Sequence, residues 1–460
     1  MNKFLEKIYP FLPGYMHNLF VTGFNLFAYH TRYSRNYRKY RKQFKDNENL
    51  SLKELNHIQF NKLMDLLKYS IKHSTFYNEI YKEINIESFT SIEDLHQLPI
   101  IDKQILRSNF SDIITISKSD ANISKTGGTT GLALEIFEHK DDTRYGYGML
   151  DNFRRKHGYE LGKKTAWFSG KNLLTEKDVR NHIFWKTDWW YKVRYYSTFH
   201  IQDKYLEYYV KDLIKFRPEY LVGFPSTMNE IATFGLDRKI EFQEGIVKAI
   251  FPTAETFTNE MRNNIEAFFK TRAYNQYASS EGAPFIFECN EGNLHMELQS
   301  GVFEVLDDKN LPTQVGRLIV TSFTSYGTPL IRYEIGDEIK ISDRICKCGN
   351  NNPLADEIYG RINDYIFSNE TGKINLGNIS NCLKGVHGIT KFQVLQENAD
   401  DILIKVVIDN NLYSSKDENI FIQNFRDRVG LHMGINLQYV NNISNVKSGK
   451  YRLVINNFNR

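Results

Sequence analysis

Apolar side chains recur at helical spacing between residues 51 and 83 (Leu55, Ile58, Leu63, Leu66, Leu67 and Ile71), and Leu98-Pro99-Ile100 closes this stretch. The first 90 or so residues are therefore predicted to be mostly helical. From about 121 to 345 short apolar runs alternate with helical patterns: Thr165 to Ser169, 203 to 216, Tyr220 to Gly223, 226 to 235, Val247 to Pro252, then 258 to 270. Alternation of this kind predicts a parallel α/β sheet with crossover helices. Strand-like Val302 to Leu306 and Arg317 to Ser322, separated by Asp307-Asp308-Lys309-Asn310, predict a hairpin in a β-rich subdomain. Beyond Gly360 the pattern restarts, with strands near 391 to 395, 402 to 408 and 436 to 440 and a helix near 417 to 432. The expected class is α/β, with a large domain over 1–362 and a small α+β domain over 363–460.

Composition narrows the class. At 460 residues, 41% apolar and 25% charged, the chain is long enough for at least two cores and is not a disordered protein. The net charge is only +4, yet Arg32, Arg35, Arg38, Lys39, Arg41, Lys42 and Lys45 cluster among Tyr33, Tyr37 and Tyr40. A solvated helix face is the plain reading of that block, and peripheral contact with anionic membrane headgroups is the alternative; no nucleic-acid partner is expected. Residues 9 to 29 are fairly apolar, but His17, Asn18 and Asn25 interrupt them short of the roughly 18 to 20 residues a spanning helix needs. No short apolar core with a small-residue cleavage site is evident, so a cytoplasmic chain is expected, with the inner membrane face as a place it could rest.

Candidate chemistry lies in five ordered segments. Lys125-Thr126-Gly127-Gly128-Thr129-Thr130-Gly131 follows the strand-like Asn122-Ile123-Ser124. Its glycines allow backbone N–H groups close to a polyphosphate and its hydroxyls add donors, although such a loop is equally a turn. It is not the nucleoside triphosphatase loop, because no lysine follows the last glycine. Tyr277-Ala278-Ser279-Ser280-Glu281-Gly282 offers a carboxylate for a hard divalent cation beside a hydroxyl for phosphate, or simply a helix cap. Tyr333-Glu334-Ile335-Gly336-Asp337, Gly360-Arg361-Ile362-Asn363-Asp364 and Lys447-Ser448-Gly449-Lys450-Tyr451-Arg452 complete the series.

Together and in this order the segments resemble the acyl-CoA synthetase and non-ribosomal peptide adenylation superfamily, most closely its phenylacetate-CoA ligase and CapK-like polysaccharide branch. The resemblance spans about 90 to 452. It implies an adenylate-forming ligase that uses ATP and Mg2+ to convert a small carboxylic acid into an acyl-AMP. The acyl group would then pass to an acceptor, with coenzyme A favoured over an amine or a nucleotide sugar. It further implies that Thr126, Gly128, Thr129, Thr130 and Gly131 embrace the ATP phosphates, and that Ser280 contacts phosphate while Glu281 holds magnesium. Ala254 and Glu255 would line the adenine with Tyr277, and Asp337 would accept the ribose hydroxyls. Arg361 would support the nucleotide, Asn363 would be the hinge of a mobile C-terminal domain, and Lys450 would bridge the acid and the α-phosphate. Three positions depart from the family pattern: Leu132-Ala133 stand where Lys-Pro usually follows Gly131, Asn363 replaces Asp or Lys, and Gly127 replaces a frequent Ser.

Cys289, His295, Cys346 and Cys348 form a full tetrahedral set for a structural Zn2+, the alternative being scattered reduced thiols with His295 on a strand; Cys382 remains over. The acyl pocket is expected among Trp167, Tyr220 to Pro225 and Pro252 to Ala254. Two rival classes are a scaffold with the same fold but no catalysis, and a carbohydrate-acting enzyme, for which no acid pair stands out.

Overall fold

The computed structural model describes residues 12, 14–125, 135–170, 173–255, 257–279, 281–359, 365–375, 378, 379, 381–383, 385–443 and 453–458. Its opening is helical, with α1 (Gly14–Arg32), α2 (Arg35–Asp46) and α3 (Leu52–His73) in succession. At the start of α3 the Glu54 N–H donates to Ser51 Oγ while the Ser51 N–H donates to the Glu54 carboxylate, satisfying donors that no helical carbonyl reaches. The helix expected over 51–83 is broken at Ser74, whose extended backbone ends α3 and whose hydroxyl caps α4 (Thr75–Ile80). α5 (Lys103–Ser108), capped by Asp102, follows.

β1 (Asn122–Lys125) and β2 (Glu135–Glu138) pair antiparallel with Lys125 opposite Glu135. The Gly/Thr loop lies between them, outside the described residues. After α6 (Lys140–Lys156) come β3 (Thr165–Phe168), β4 (Trp185–Asp188), β5 (Val193–Tyr196), α7 (Asp203–Phe216), β6 (Tyr220–Gly223), α8 (Pro225–Asp237), β7 (Ala249–Pro252) and α9 (Asn259–Phe269). They build a five-stranded sheet in the order β4-β5-β3-β6-β7. Four of its strands are parallel, as the alternation predicts, but β4 runs antiparallel to β5 and corrects the expectation at this edge. The cause is a tight turn: Asp188 Oδ1 accepts the N–H groups of Trp190 and Tyr191, and Lys192 takes a left-handed conformation with φ +55°. Gly223 has φ +131°, and a Cβ there would meet the Phe168 carbonyl oxygen at 1.8 Å, so only glycine lets β6 approach β3 here.

A seven-stranded antiparallel sheet follows, made of β8 (Gln276–Tyr277), β9 (Ile286–Glu288), β10 (Leu294–Met296), β11 (Gly301–Leu306), β12 (Val315–Ser322), β13 (Tyr333–Ser342) and β14 (Leu354–Tyr359) in the order β11-β12-β13-β14-β10-β9-β8. The predicted hairpin is β11–β12. Leu63, Leu66 and Leu67 of α3 join Leu318, Val320 and Ile339 in its core. The last portion has a hairpin, β15 (Tyr365–Ser368) and β16 (Gly372–Asn375), then β17 (Ile389–Gln396), β18 (Asp401–Ile408), α10 (Ser415–Val429), β19 (Gly434–Tyr439) and β20 (Val454–Asn456). β20 adds to β17 in parallel, a strand the hydropathy pattern did not reveal. Phe392, Val394, Ile404, Phe421 and Phe425 are fully buried in a core of this portion alone. It meets the rest of the chain at residues 198–202: Ile201 bridges Gly372, and Gln202 Nε2 donates to the Asn369 carbonyl at 3.1 Å. Gly372, at φ +81°, would place a Cβ 1.7 Å from the Ile201 carbonyl oxygen. Among the described residues no helix is long and apolar enough to cross a membrane.

Candidate functional site

The parallel strands end level with one another. Phe168 of β3 is opposite Gly223 of β6, which is opposite Pro252 of β7, so their carboxyl ends share one edge, where open α/β sheets bind ligands. The expected acyl-pocket segments, Trp167, Tyr220 to Pro225 and Pro252 to Ala254, all lie on these strands or just beyond them. Ala254 takes a left-handed conformation, φ +69°, immediately past β7. Glu255 follows it, and its Oε2 accepts the Ser226 N–H at 3.1 Å in the first turn of α8, a favourable place for a carboxylate.

Ile250 of β7 bridges Ala273 in parallel, which carries the chain from this sheet into β8 and Tyr277. The Tyr277 hydroxyl donates to Asp337 Oδ2 at 2.7 Å. Burial first, and then the charges of Asp337 and Glu281, push this phenol well above its ordinary range, so it remains a donor. Asp337 sits on a bulge: Arg317 is opposite Glu338 and Ile319 opposite Glu334, so two steps along β12 face four along β13. Such an insertion turns a side chain out of the regular ladder.

Glu281 is buried, with 7% of its surface exposed. Its turn is fixed by Ser279 Oγ, which accepts the N–H groups of Glu281 and Ala283, and by Gly282 at φ +86°. Lys103 Nζ donates to Glu281 Oε1 at 2.7 Å. Arg107 and Tyr333 feel the same carboxylate, which with burial pushes the Tyr333 phenol upward. Lys103 and Arg107 escaped the sequence reading. The only signal was Asp102 as a helix cap, and the partner of Lys103 lies 178 positions away.

The four candidate metal ligands converge from two loops. Cys289 follows β9, His295 is in β10, and Cys346 and Cys348 are on the β13–β14 connection; their ligand atoms all lie within 4.8 Å of one another. Cys289 Sγ is 3.6 Å from Cys346 Sγ, and Cys348 Sγ is 3.3 Å from His295 Nε2. His295 Nδ1 is 3.0 Å from the Asn352 carbonyl, so Nδ1 carries the proton and Nε2 offers its lone pair to the cluster. Burial, followed by the neighbouring thiols, pushes Cys348 up to about 12. Such a set could hold a metal ion with no open position. Cys382 is buried elsewhere, in the last core.

Thr126, Gly128, Thr129, Thr130, Gly131, Ser280, Arg361, Asn363 and Lys450 lie outside the described residues. Of the rest, the structure joins Tyr277 to Asp337 directly and groups the four metal-ligand candidates; Ala254 and Glu255 stand at the carboxyl edge of the parallel sheet.

Residues 366–457 match the family described as the CapK C-terminal domain. Protein CapK of Staphylococcus aureus is 33% identical over 460 residues, covering 98% of this chain and 99% of the relative. A phenylacetate-coenzyme A ligase of Thermus thermophilus is 24% identical over 357 residues, covering 69% of this chain and 73% of that one. Among solved structures, 2-hydroxyisobutyryl-CoA ligase in complex with 2-HIB-AMP and CoA aligns with a TM-score of 0.59 at 18% identity, covering 89% of this chain and 91% of that chain. That likeness shows the fold, and 33% identity over nearly the full length shows the family: the chain belongs to the CapK family.

Proposed function

We propose that the protein activates a small carboxylic acid with ATP, forming an acyl-AMP, and then transfers the acyl group to coenzyme A in the service of surface-polysaccharide biosynthesis. The observation that carries the reading is the meeting of Asp337 and Tyr277, with the charge of Glu281 felt at the same phenol. An acceptor-only carboxylate displayed on a bulge suits a ribose diol, and a buried carboxylate already facing the Lys103 ammonium suits magnesium bound with phosphate oxygens. The coenzyme A complex of the structural neighbour favours coenzyme A as acceptor.

In the first step a carboxylate oxygen of the acid attacks the α-phosphorus and pyrophosphate departs. In the second the coenzyme A sulfur attacks the acyl carbon and AMP departs. Bound magnesium would supply charge neutralisation for the phosphates at Glu281. Lys103, displaced from that carboxylate, then becomes a phosphate contact and compensates for Leu132, which stands where the family pattern has lysine. The Gly/Thr loop and Ser280 take the remaining phosphate contacts, Arg361 supports the nucleotide, and Lys450 neutralises the charge shared by acid and α-phosphate. This assigns 1–362 and 363–460 as separate domains hinged at Asn363. Their separate cores favour that division, as does a contact that, among the described residues, gathers at 198–202 against Asn369, Gly372, Asn378 and Arg428.

The thiol and imidazole cluster is assigned a structural zinc. Bond lengths of about 2.3 Å to sulfur and about 2.0 Å to nitrogen in a tetrahedron put two sulfurs about 3.8 Å apart and a sulfur and a nitrogen about 3.5 Å apart. The observed 3.6 and 3.3 Å separations are near those values, and the remaining pairs, within 4.8 Å, would draw in on the ion.

The test is acid-dependent pyrophosphate exchange across a panel of carboxylic acids, followed by mass spectrometry for a coenzyme A thioester. Lys450→Ala should lower exchange by about 10²-fold or more while nucleotide binding persists, because its contacts belong to the transition state. An adenylate that coenzyme A cannot discharge but an amino sugar can would replace the acceptor; no exchange with any acid would leave a scaffold.

A further inference from the structure

The amphipathicity of α1 is reversed. Its inward face is largely polar: His17 Nδ1 is 2.9 Å from Lys186 Nζ, Asn18 Oδ1 accepts the Thr187 N–H, Thr22 Oγ1 accepts the Trp189 N–H, and Asn25 Nδ2 donates to Asp188 and to the Tyr195 hydroxyl, with Val21 packed on Val193 and Tyr195. Its outward face is apolar, with Leu19 51%, Phe24 49% and Phe27 76% exposed. Because the Trp189 backbone is bonded to Thr22, the β4–β5 turn sets Trp189 and Trp190, 51% and 66% exposed, beside the same helix. Two exposed indoles beside an exposed apolar helix face are more than the scattered single residues a surface ordinarily carries.

Charge selects the occupant. α1 contains no Asp or Glu, and the helix that continues from it, α2, exposes Arg35, Arg38, Lys39, Lys42 and Lys45. An apolar helix face without acids, flanked by indoles and followed by a run of cations, has the make-up of a helix lying in a lipid interface. Its Trp and Phe side chains would enter the headgroup and acyl boundary, and its cations would meet anionic phosphates. We propose that this face, Leu19, Phe24 and Phe27 with Trp189 and Trp190, docks the protein on an anionic bilayer, with α1 lying in the plane of the surface. The inference is independent of the ligase reading. It places the contact on the reversed helix, with the basic block in a supporting part.

The experiment is co-sedimentation of the full chain with vesicles of phosphatidylglycerol and phosphatidylcholine in equal parts, against vesicles of phosphatidylcholine alone. Binding to the anionic vesicles should be about tenfold tighter or more, and should weaken as salt is raised. A blue shift of tryptophan fluorescence should accompany it. The double variant Phe27→Ser/Trp190→Ser should lose about tenfold or more in binding with unchanged circular dichroism and melting temperature, because both side chains are exposed. Absent binding, equal binding to neutral vesicles, or undiminished binding by the folded double variant would overturn the proposal. So would a dimer, seen by light scattering without lipid, that the same substitutions dissolve.

Discussion

Two ends of the seven-stranded sheet are built from the same strands and do opposite things with polar groups. At one end Glu281 and Asp337 present carboxylates to phenols and cations, Asp337 to Tyr277 and Glu281 to Lys103 and Tyr333. At the other, Cys289, His295, Cys346 and Cys348 turn all their ligand atoms on one point, with His295 oriented from behind by Asn352. The first arrangement leaves acceptor capacity for a molecule that arrives and departs, and its cation can move aside. The second closes on itself, as a site that only holds must. Exchangeability, more than residue type, separates a reacting end from a fixing end.

The comparison can be broken most sharply at Glu281. Glu281→Gln keeps the shape but removes the charge, and should lower acyl-AMP formation by about 10²- to 10³-fold with modest change in the metal content of the thiol end. Pyrophosphate exchange and elemental analysis read both ends together; undiminished exchange would remove Glu281 from the chemistry. At the other end Cys346→Ser should lower the melting temperature by roughly 5 °C or more and abolish the bound zinc, while the folded fraction keeps its turnover within about tenfold. A chelator should act in the same direction on the parent, and unchanged melting in both cases would deny the cluster its fixing role.

Lys103→Met sharpens the comparison further, since a movable cation is what distinguishes the reacting end. It should raise KM for ATP by about tenfold, with kcat less affected, because a phosphate contact made in both ground and transition states is lost. An unaltered KM would make Lys103 a purely structural partner of Glu281. The smallest effect belongs to Tyr277→Phe, where Asp337 regains water in place of the phenol; about 1 kcal/mol, or roughly fivefold in nucleotide affinity, is expected by calorimetry.

Fold class was legible because periodicity survives where strands and helices are long or regularly alternating. The crossovers after Tyr220 and Ala249 and the β11–β12 hairpin are of this kind. β4 and β20 were not legible: each is short, and each owes its place to a partner strand, β5 or β17, which a local pattern cannot register. Glu281 and Asp337 were read from their segments, since glycine and hydroxyl neighbours leave a local trace. Their partners were less accessible. Lys103 comes from the short helix α5, and the bulge that turns Asp337 outward is a property of pairing between two strands. Likewise the polar inner face of α1 looked in sequence like three interruptions of an apolar run; only the pairing of His17, Asn18 and Asn25 with β4 and its neighbours shows which side is out.

The contact of Gly372 with Ile201 is a joint made of main chain. Where the main chains of two portions meet, the side chains of that pair can change without disturbing the seat, yet a single methyl at position 372 acts as a wedge. The joint therefore offers an experimental handle: a substitution there displaces the small portion while leaving every proposed ligand-contacting side chain as it was, so that position and chemistry become separately adjustable variables.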